Sequence, residues 1–307
     1  MNQAAIAETP RCPLCGSGTG HKERVVDTAA IRAYWQAFCY SLDAEFAPLP
    51  ETLTGWRCGQ CQLGWFDPPL IGGPSLYAAL AAWPPYYRRQ AWEWPVAIEI
   101  LARAGTQDMI EIGAGTGEFL AQAALRIARV AGLEFNTAAI DRAKAEGRPV
   151  TSRRLADIAA KPEAIAAFQV LEHVGDPAGF IAMCRDALVE RGLLILAVPN
   201  DDGVIGAIEG DFLNLPPHHA TRWRRATFEA VGSIFGLRLV DHRVEPLRRT
   251  LHRHYRLRHL RPARTVRGKI GNSIRRHAID VVSPLAFLRD RRRLGGETQL
   301  AVFRKER

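Results

Sequence analysis

A glycine-rich run between residues 108 and 120 has the residue types and spacing of a ligand-binding turn. An apolar stretch leads into Gly113, Gly115 and Gly117, and a helical pattern begins near Glu118. Glycines let a backbone turn tightly and approach a ligand where any Cβ would collide. A dinucleotide fingerprint would need its third glycine at position 118, where a Glu would repel a pyrophosphate. No Gly-Lys-Ser/Thr sequence follows, which excludes a Walker loop.

Three histidines and one carboxylate have the chemistry of general bases and follow later apolar runs. Glu172 and His173 come just after one apolar run, and His218 and His219 follow the next. Imidazole titrates near neutrality, which suits proton transfer. We rank His173, paired with Glu172, first as the base, then His219 and then His218. The alternative is that Glu172 and His173 merely precede a helix start and that the other two histidines order a loop.

Four of the six cysteines form two Cys-x-x-Cys pairs, Cys12 with Cys15 and Cys58 with Cys61. Two such pairs supply the four thiolates of a tetrahedral zinc site. A redox dithiol and unliganded thiols are the alternatives, but neither pair precedes a βαβ pattern. We therefore predict a structural Zn²⁺, with a segment at roughly 20–50 looping out between the two pairs.

Apolar runs that alternate with helical patterns predict the elements that position these residues. Runs of four to eight apolar residues separated by helical stretches are typical of a parallel sheet with crossover helices. One such run ends at Glu134, about 20 residues past Gly113, where α/β folds place an acid on ribose hydroxyls. Two further runs, at 237–241 and 297–303, predict a sixth and a seventh strand.

These motifs, in this order, resemble the class I S-adenosylmethionine (SAM) methyltransferases. The glycine run with Glu111 two residues ahead of it resembles their motif I, and 168–177 is similar to the region after their fourth strand. The stretch 215–223 resembles a Pro-Pro-His-His-x-Thr-Arg-Trp segment of bacterial members that act on saccharides and related metabolites. The resemblance covers about 75–242 and the final strand. It implies an α/β fold with a Rossmann-like seven-stranded methyltransferase sheet, a small N-terminal zinc-binding module and a basic helical insertion before the last strand.

The resemblance also implies roles for individual residues. The glycine loop would lie alongside the methionine part of SAM, and Glu111 would hold the ammonium group of that part. Glu134 would bind the ribose, and Asp157 would contact the adenine amino group. The cofactor-binding candidates are Glu111, Gly113, Ala114, Gly115, Gly117, Glu134, Phe135, Asp157, Phe168 and Gln169.

Aromatic and basic residues provide the candidates for substrate contact. Tyr86 and Tyr87 belong to an aromatic-rich stretch at 74–104, which would cap the cofactor cleft; the alternative is that these rings pack two domains together. Arg222 and Trp223 follow the candidate histidines. Proline and glycine pairs near residue 70 indicate a boundary. The predicted domains are 1–70 (zinc-binding module), 71–104 (helical cap or linker), 105–242 with 295–307 (methyltransferase domain) and 243–294 (basic insertion).

The positive charge of the chain is concentrated in that insertion. The whole chain has 41 Lys and Arg against 32 Asp and Glu, a net charge of +9. The segment 243–293 alone has 16 basic and 3 acidic residues, a net +13, so the remainder is net −4. A basic segment with an apolar patch at 281–288 is typical of contact with an anionic surface, although a solvated basic helix is the alternative.

A methyltransferase acting on a small-molecule acceptor is the leading functional prediction, with a saccharide or glycan-precursor hydroxyl as the methylated group. An RNA methyltransferase that binds nucleic acid through the zinc module and the basic insertion is the second, although an Asn/Asp-Pro-Pro-Tyr motif is missing after the fourth strand. The third is a non-catalytic SAM-fold binding protein. The expected cofactors are SAM and Zn²⁺.

The cellular location follows from what the sequence does not contain. No apolar run approaches 18 residues, and the N-terminus does not have the basic and apolar regions of a secretory signal. The sequence therefore predicts a cytoplasmic protein whose basic insertion makes a peripheral contact with the inner membrane face. Its expected partner is a small molecule, with a phosphate-bearing or lipid-linked saccharide as one form.

Overall fold

A computed structural model describes most of the chain. The described residues are 9–38, 40–83, 86, 90–208, 211–259, 285–291 and 293–306. The strands are β1 Gly20–Asp27, β2 Thr52–Cys58, β3 Gly64–Asp67, β4 Asp108–Ile112, β5 Arg129–Leu133, β6 Val150–Thr151, β7 Ala164–Phe168, β8 Leu193–Pro199, β9 Thr221–Arg222, β10 Leu237–Val244 and β11 Thr298–Lys305. The helices are α1 Thr28–Gln36, α2 Leu42–Phe46, α3 Pro74–Ala81, α4 Glu93–Arg103, α5 Glu118–Ala123, α6 Thr137–Ala145, α7 Pro177–Ala187, α8 Val204–Ala207, α9 Arg225–Phe235 and α10 Arg249–His259.

The larger sheet has seven strands in the order β10-β11-β8-β7-β4-β5-β6. The strands from β8 to β6 in this order are parallel, and β11 pairs antiparallel with both β8 and β10. This mixed sheet confirms the predicted α/β class and the seven-stranded methyltransferase architecture. The last two strands pair as predicted although more than 50 residues separate them in the chain.

The central strands are apolar along their whole length because helices cover both faces of the sheet. Every residue of β7 is buried, and so is β8 from Leu193 to Val198. One face packs against α7 and α9, through Ile181 and Phe228 among others. The other face packs against α4, α5 and α6. The structure is therefore a three-layer arrangement that leaves the carboxyl ends of the parallel strands at one edge.

The smaller sheet joins the N-terminal module to the rest of the chain. Its order is β1-β2-β3-β9, and β9 comes from the segment directly after the histidine pair. Gly64 pairs with Arg222 and Trp65 with Thr221. The guanidinium of Arg57 is fully buried and binds Asp201 of the larger domain, with Nη2 2.5 Å from Oδ2. The module and the methyltransferase part therefore share backbone pairing as well as a buried ion pair.

The segment between the cysteine pairs is more ordered than the sequence predicts. The expected loop at roughly 20–50 instead contains β1, α1 and α2. Ile31, Trp35 and Leu42 from this segment are fully buried against α3. Apolar side chains at helical spacing explain this packing, because they bury one face of α1.

The basic insertion begins as predicted with a helix, α10, and residues 260–284 lie outside the described residues. A short helical turn at 285–290 packs on α10, where His252 Nε2 and Asp290 Oδ2 lie 2.9 Å apart. The other side of this turn is open: Leu285 is 74% exposed and Leu288 is 46% exposed. No described helix is both long and apolar enough to cross a membrane.

Candidate functional site

The glycine loop after β4 has a backbone that ordinary residues rarely adopt. Gly113, Gly115 and Gly117 have φ angles of 72°, 53° and 77°, in the left-handed region. A Cβ on Gly113 would lie 2.5 Å from Cγ2 of Val170, on the segment that leads to His173. The loop therefore has to be glycine, and it lies directly against the segment that carries the first candidate base. Helix α5 begins at Glu118, as the sequence predicts.

Glu111, near the end of β4, is a buried carboxylate with one oxygen to which no described residue donates a hydrogen bond. Its side chain is 3% exposed, and its Oε2 has no hydrogen-bond partner among the described residues. Burial, and then the charges of Glu134 and Glu118, raise the pKa of Glu111 well above its usual value. A buried carboxylate of this kind is costly unless a donor or a cation pairs with it. An ammonium group of a ligand would supply both.

Glu134 follows β5 and is tied to the glycine loop. Its Oε2 accepts the N–H of Gly115 at 2.8 Å, and its Oε1 accepts the N–H groups of Phe135 and Asn136 at 2.7 and 2.8 Å. A carboxylate has about four lone-pair directions, so Glu134 retains capacity to accept from a ligand hydroxyl. Glu134 therefore lies at the loop, and the ribose contact predicted for it stays a prediction.

The remaining cofactor candidates lie in different environments. Ala114 is buried beside the loop, and the Phe135 ring is 83% exposed at the end of β5. Asp157 is on the surface, where its Oδ1 lies 2.9 Å from Nη2 of Arg154. The adenine contact predicted for Asp157 stays a prediction.

Phe168 and Gln169 end β7 beside the loop. The Phe168 ring is buried and meets the Phe119 ring edge-on, with centroids 4.6 Å apart. Gln169 has a φ of 55°, and its amide Nε2 donates to Oε1 of Glu93 at 3.4 Å. Glu93, which is 1% exposed, is a polar residue of this region that the sequence analysis missed.

The three candidate histidines form one cluster. His173 lies in a helical turn after β7, and His218 and His219 lie in the loop before β9. The ring centroids are 4.5 Å apart for His173 and His218, 4.9 Å for His173 and His219, and 4.5 Å for the last two. One potential ligand atom from each ring lies within 4.8 Å of the other two. The structure therefore brings together the residues that the sequence ranked as alternatives.

In each of the three rings, Nδ1 lies within hydrogen-bond distance of an oxygen that can accept a hydrogen bond but cannot donate one. These oxygens are the carbonyl of His218 for His173 (2.5 Å), the carbonyl of Leu213 for His218 (2.8 Å) and the Asn214 Oδ1 for His219 (2.9 Å). Each Nδ1 therefore carries the proton, which leaves a lone pair on each Nε2 in the neutral ring.

Burial keeps these rings neutral. It lowers the pKa of His173 to about 4 and, together with the neighbouring His173, the pKa of His218 to about 3. Burial and the other two rings hold the pKa of His219 well below its usual value. At neutral pH the cluster therefore presents unprotonated Nε2 atoms.

A carboxylate and a tyrosine lie next to the cluster. Oε1 of the buried Glu172 lies 3.7 Å from Nε2 of His173 and 4.0 Å from Nε2 of His219. The Tyr86 hydroxyl donates to Nε2 of His218 at 3.3 Å, which places this predicted substrate contact at the cluster. The other predicted tyrosine, Tyr87, lies outside the described residues.

Tyr77 is a further residue of the cluster that the sequence analysis missed. Its ring meets His173 edge-on at 5.9 Å. Burial, and then the carboxylates of Glu172 and Glu134, raise the pKa of Tyr77. Tyr77 therefore lies beside the histidine cluster, close enough to Glu134 to be affected by its charge. Its position in the aromatic-rich stretch was a signal, but that stretch contains several rings and no pattern distinguishes Tyr77 among them.

Arg222 and Trp223, the other two predicted substrate contacts, are buried. Arg222 is 4% exposed, and its Nε donates to Oδ1 of Asp201 at 2.6 Å. Trp223 is 1% exposed and stacks on Phe228 with centroids 5.4 Å apart. The structure places both side chains in the packing between the two sheets, because an acid and an aromatic ring from the methyltransferase part cover them.

The four cysteines of the paired motifs also meet. Their Sγ atoms lie within 4.8 Å of one another, and the pairs Cys12–Cys61 and Cys15–Cys58 are 3.5 Å apart. Four thiolates around a zinc ion at about 2.3 Å would be separated by about 3.8 Å, so the cluster has the size of such a site. The N–H groups of Gln60 and Cys61 point at Sγ of Cys58, both at 3.4 Å. The cluster therefore allows a zinc ion.

Several solved structures resemble this fold. A SAM dependent methyltransferase from Archaeoglobus fulgidus is 16% identical, with 69% of this chain and 94% of that chain covered and a TM-score of 0.45. Magnesium protoporphyrin IX methyltransferase from Synechocystis PCC 6803 is 11% identical, with 70% and 82% covered and a TM-score of 0.46. CalS10, an amino pentose methyltransferase from Micromonospora echinaspora, is 22% identical, with 39% and 55% covered and a TM-score of 0.33.

Comparison of the sequence with protein families assigns the chain to a family. A comparison with curated proteins finds no match. A family model described as a methyltransferase domain matches residues 86–263, which includes the glycine loop and all three histidines. Because this match spans more than half of the chain, the protein belongs to the methyltransferase-domain family.

Proposed function

We propose that the protein transfers a methyl group from SAM to an oxygen of a small-molecule acceptor, a saccharide or a glycan precursor. The observation that carries this proposal is a cluster of neutral histidines beside the glycine loop. Val170 lies against Gly113, and His173 follows three residues later. Strands β4 and β7 are neighbours, so their carboxyl ends bring the loop and the cluster to one edge of the sheet.

The residues at the loop fit SAM, and the family match supports SAM as the methyl donor. Glu111 has a buried oxygen without a partner, which the ammonium of the methionine part would satisfy. Glu134 retains lone pairs for ribose hydroxyls, and the glycines leave the space that side chains would fill. When bound, SAM supplies an electrophilic methyl group on its sulfonium.

The histidine cluster would hold the acceptor and remove its proton. A hydroxyl close to Nε2 of His173 would donate its proton to this lone pair as the oxygen attacks. Glu172 Oε1, 3.7 Å from that nitrogen, would stabilise the positive charge that the ring gains. Burial of the rings limits competition from water. Turnover with a panel of nucleotide-linked and lipid-linked saccharides tests this proposal directly.

Replacing Glu134 with alanine should weaken SAM binding by about 1–3 kcal/mol, because hydrogen bonds to a charged acceptor are lost. Isothermal titration calorimetry measures the change. Glu163→Ala is the matched control, since Glu163 also accepts a backbone N–H, that of Gln107 at 2.7 Å, but lies away from the loop. Equal losses in both variants would show that a general loss of stability, rather than a ribose contact, is responsible.

We further propose that the cysteine cluster binds one structural zinc ion. Cys58→Ser should release this ion and lower the stability of the N-terminal module, because a tetrahedral structural site contributes directly to folding. Metal analysis of the purified protein checks the stoichiometry, and Cys184→Ser is the control, since Cys184 is buried in the methyltransferase core. Protein purified without chelators that contains no zinc would rule the site out.

The basic insertion is proposed to contact an anionic membrane surface, where lipid-linked acceptors would be available. The exposed Leu285 and Leu288 lie beside Arg289, which is also exposed. Neighbouring arginines add about 1 kcal/mol each near an anionic bilayer, and this attraction is screened by salt.

We therefore expect salt-sensitive sedimentation with anionic vesicles and weak sedimentation with neutral ones. Changing Arg289, Arg291 and Arg293 to Gln should reduce binding several-fold. The same change at the exposed Arg103, Arg129 and Arg142 of the methyltransferase part is the control. Binding that is equal for both vesicle types would contradict a charge-based contact. RNA binding in place of vesicle binding would favour the RNA methyltransferase alternative.

A further inference from the structure

We propose that His173, His218 and His219 form a second metal site, which binds a divalent transition-metal ion of the zinc class through three ring nitrogens. The site is separate from the cysteine cluster in both ligands and position. It goes beyond the proposed function, because three imidazoles can bind an ion whether or not the chain transfers methyl groups.

The ligand geometry is the first argument. One nitrogen from each ring lies within 4.8 Å of the other two. Nitrogens that share a zinc ion at about 2.0–2.1 Å lie about 3.3 Å apart in tetrahedral coordination. Each nitrogen would therefore have to move inward by less than about 1 Å. Two of the three ligands, His218 and His219, are adjacent in one loop, so a small shift of that loop would move both nitrogens together.

The second argument is the set of hydrogen bonds behind the rings. Histidines that bind metals almost always donate their other N–H to a carbonyl or a carboxylate, which fixes the tautomer and the ring orientation. All three Nδ1 atoms here face such an oxygen at 2.5 to 2.9 Å. A general base needs this support at one histidine, whereas a metal site needs it at every ligand.

The third argument is the charge close to the cluster. Oε1 of Glu172 lies within 4.0 Å of the Nε2 atoms of both His173 and His219. An ion held by these rings would be next to a buried negative charge, which offsets part of the cost of burying the cation. Glu172 could serve as a fourth ligand, or an oxygen of the acceptor could occupy that position. The Tyr86 hydroxyl, 3.3 Å from Nε2 of His218, would have to move aside.

The donor set selects the class of ion. Imidazole suits zinc, copper, iron and nickel, whereas magnesium and calcium prefer oxygen ligands. Three histidines with one further position are typical of a catalytic rather than a structural zinc site. A lone pair that holds an ion cannot accept a proton, so His173 acts as the base of the proposed methyl transfer only in the metal-free form of the protein. Metal binding therefore has to be read directly and not through turnover.

Cobalt(II) titration of the metal-free, full-length protein distinguishes the two sites. Thiolate ligands give Co(II) an intense charge-transfer absorption in the near ultraviolet, which nitrogen ligands do not give. We expect equilibrium dialysis to count two cobalt ions per chain. His219→Ala should weaken the second ion at least 100-fold and leave the charge-transfer bands unchanged. Cys58→Ser should weaken those bands and leave the affinity of the second ion unchanged.

Two controls keep the result interpretable. His21→Ala removes an exposed histidine of β1 and should leave both ions in place. His173→Asn tests a ligand on a different segment, so that misfolding of the loop in one variant does not decide the outcome. A single cobalt per chain that gives the thiolate bands would overturn the histidine metal site. A second cobalt that binds both the His219→Ala and the His173→Asn variants as tightly as the unmodified protein would also overturn it. If the unmodified protein does not bind SAM, the proposed function is refuted, whereas the cobalt count remains valid.

Discussion

Gly115→Arg should abolish detectable SAM binding, with a loss of affinity of at least 100-fold. Gly115 has a φ of 53° and donates its N–H to Glu134, so a side chain there strains the turn and fills the space that a ligand needs. A 100-fold loss corresponds to about 2.7 kcal/mol. Calorimetry with SAM measures it, and circular dichroism confirms that the variant folds.

Gly105→Arg is the matched control for that experiment. Gly105 also has a left-handed backbone, with a φ of 72°, but a Cβ there would meet no atom within 4 Å. The variant carries the same change in charge and a similar backbone strain before the amino end of β4, whereas the glycine loop follows its carboxyl end. Normal SAM affinity in Gly115→Arg would show that the cofactor does not bind at this loop, whereas similar losses in both variants would point to strain.

His173→Ala should reduce turnover on a hydroxyl acceptor by roughly 10²–10⁴, the usual contribution of a general base. SAM affinity should stay within a few-fold of its original value, because in the proposed mechanism His173 contacts the acceptor and not SAM. Steady-state kinetics at saturating SAM gives the loss, and calorimetry gives the affinity. His21→Ala is the control for removal of a histidine outside the cluster.

The other two histidines test the ranking. If His173→Ala retains its turnover and His219→Ala does not, the base is His219 and the order of the candidates is wrong. If all three single variants remain active, proton removal by the cluster is refuted. Asn214→Ala is a milder change. It would remove the Oδ1 that lies 2.9 Å from Nδ1 of His219 and so release the ring without removing it.

Local patterns were sufficient to predict much of the fold. The glycine spacing predicted the turn after β4 and a helix beginning at Glu118, because both depend on residues next to one another in the chain. Continuous apolar runs predicted the buried strands. The meeting of His173 with His218 and His219 follows from the rule that parallel strands share one carboxyl edge, which requires no knowledge of side-chain packing.

Features that depend on distant pairing could not be predicted in this way. Strand β9 has two residues, too few for any periodicity, and its partner β3 is more than 150 residues earlier. The burial of Arg222 and Trp223 follows from that pairing and from Asp201, so residue types alone did not predict it. Tyr77 reaches the cluster through the packing of α3, which the sequence of α3 does not encode by itself.

Because the ribosome makes the chain from its N-terminus, β9 is synthesised long after its partner strand β3. Gly64 and Trp65 leave the ribosome long before Thr221 and Arg222 exist, so the N-terminal sheet has to wait with the β3 edge unpaired. Exposed strand edges pair readily with other chains. A sheet whose first strands are synthesised early is therefore completed late. We expect that a fragment ending before Thr221 would retain its cysteines and still be prone to associate through β3.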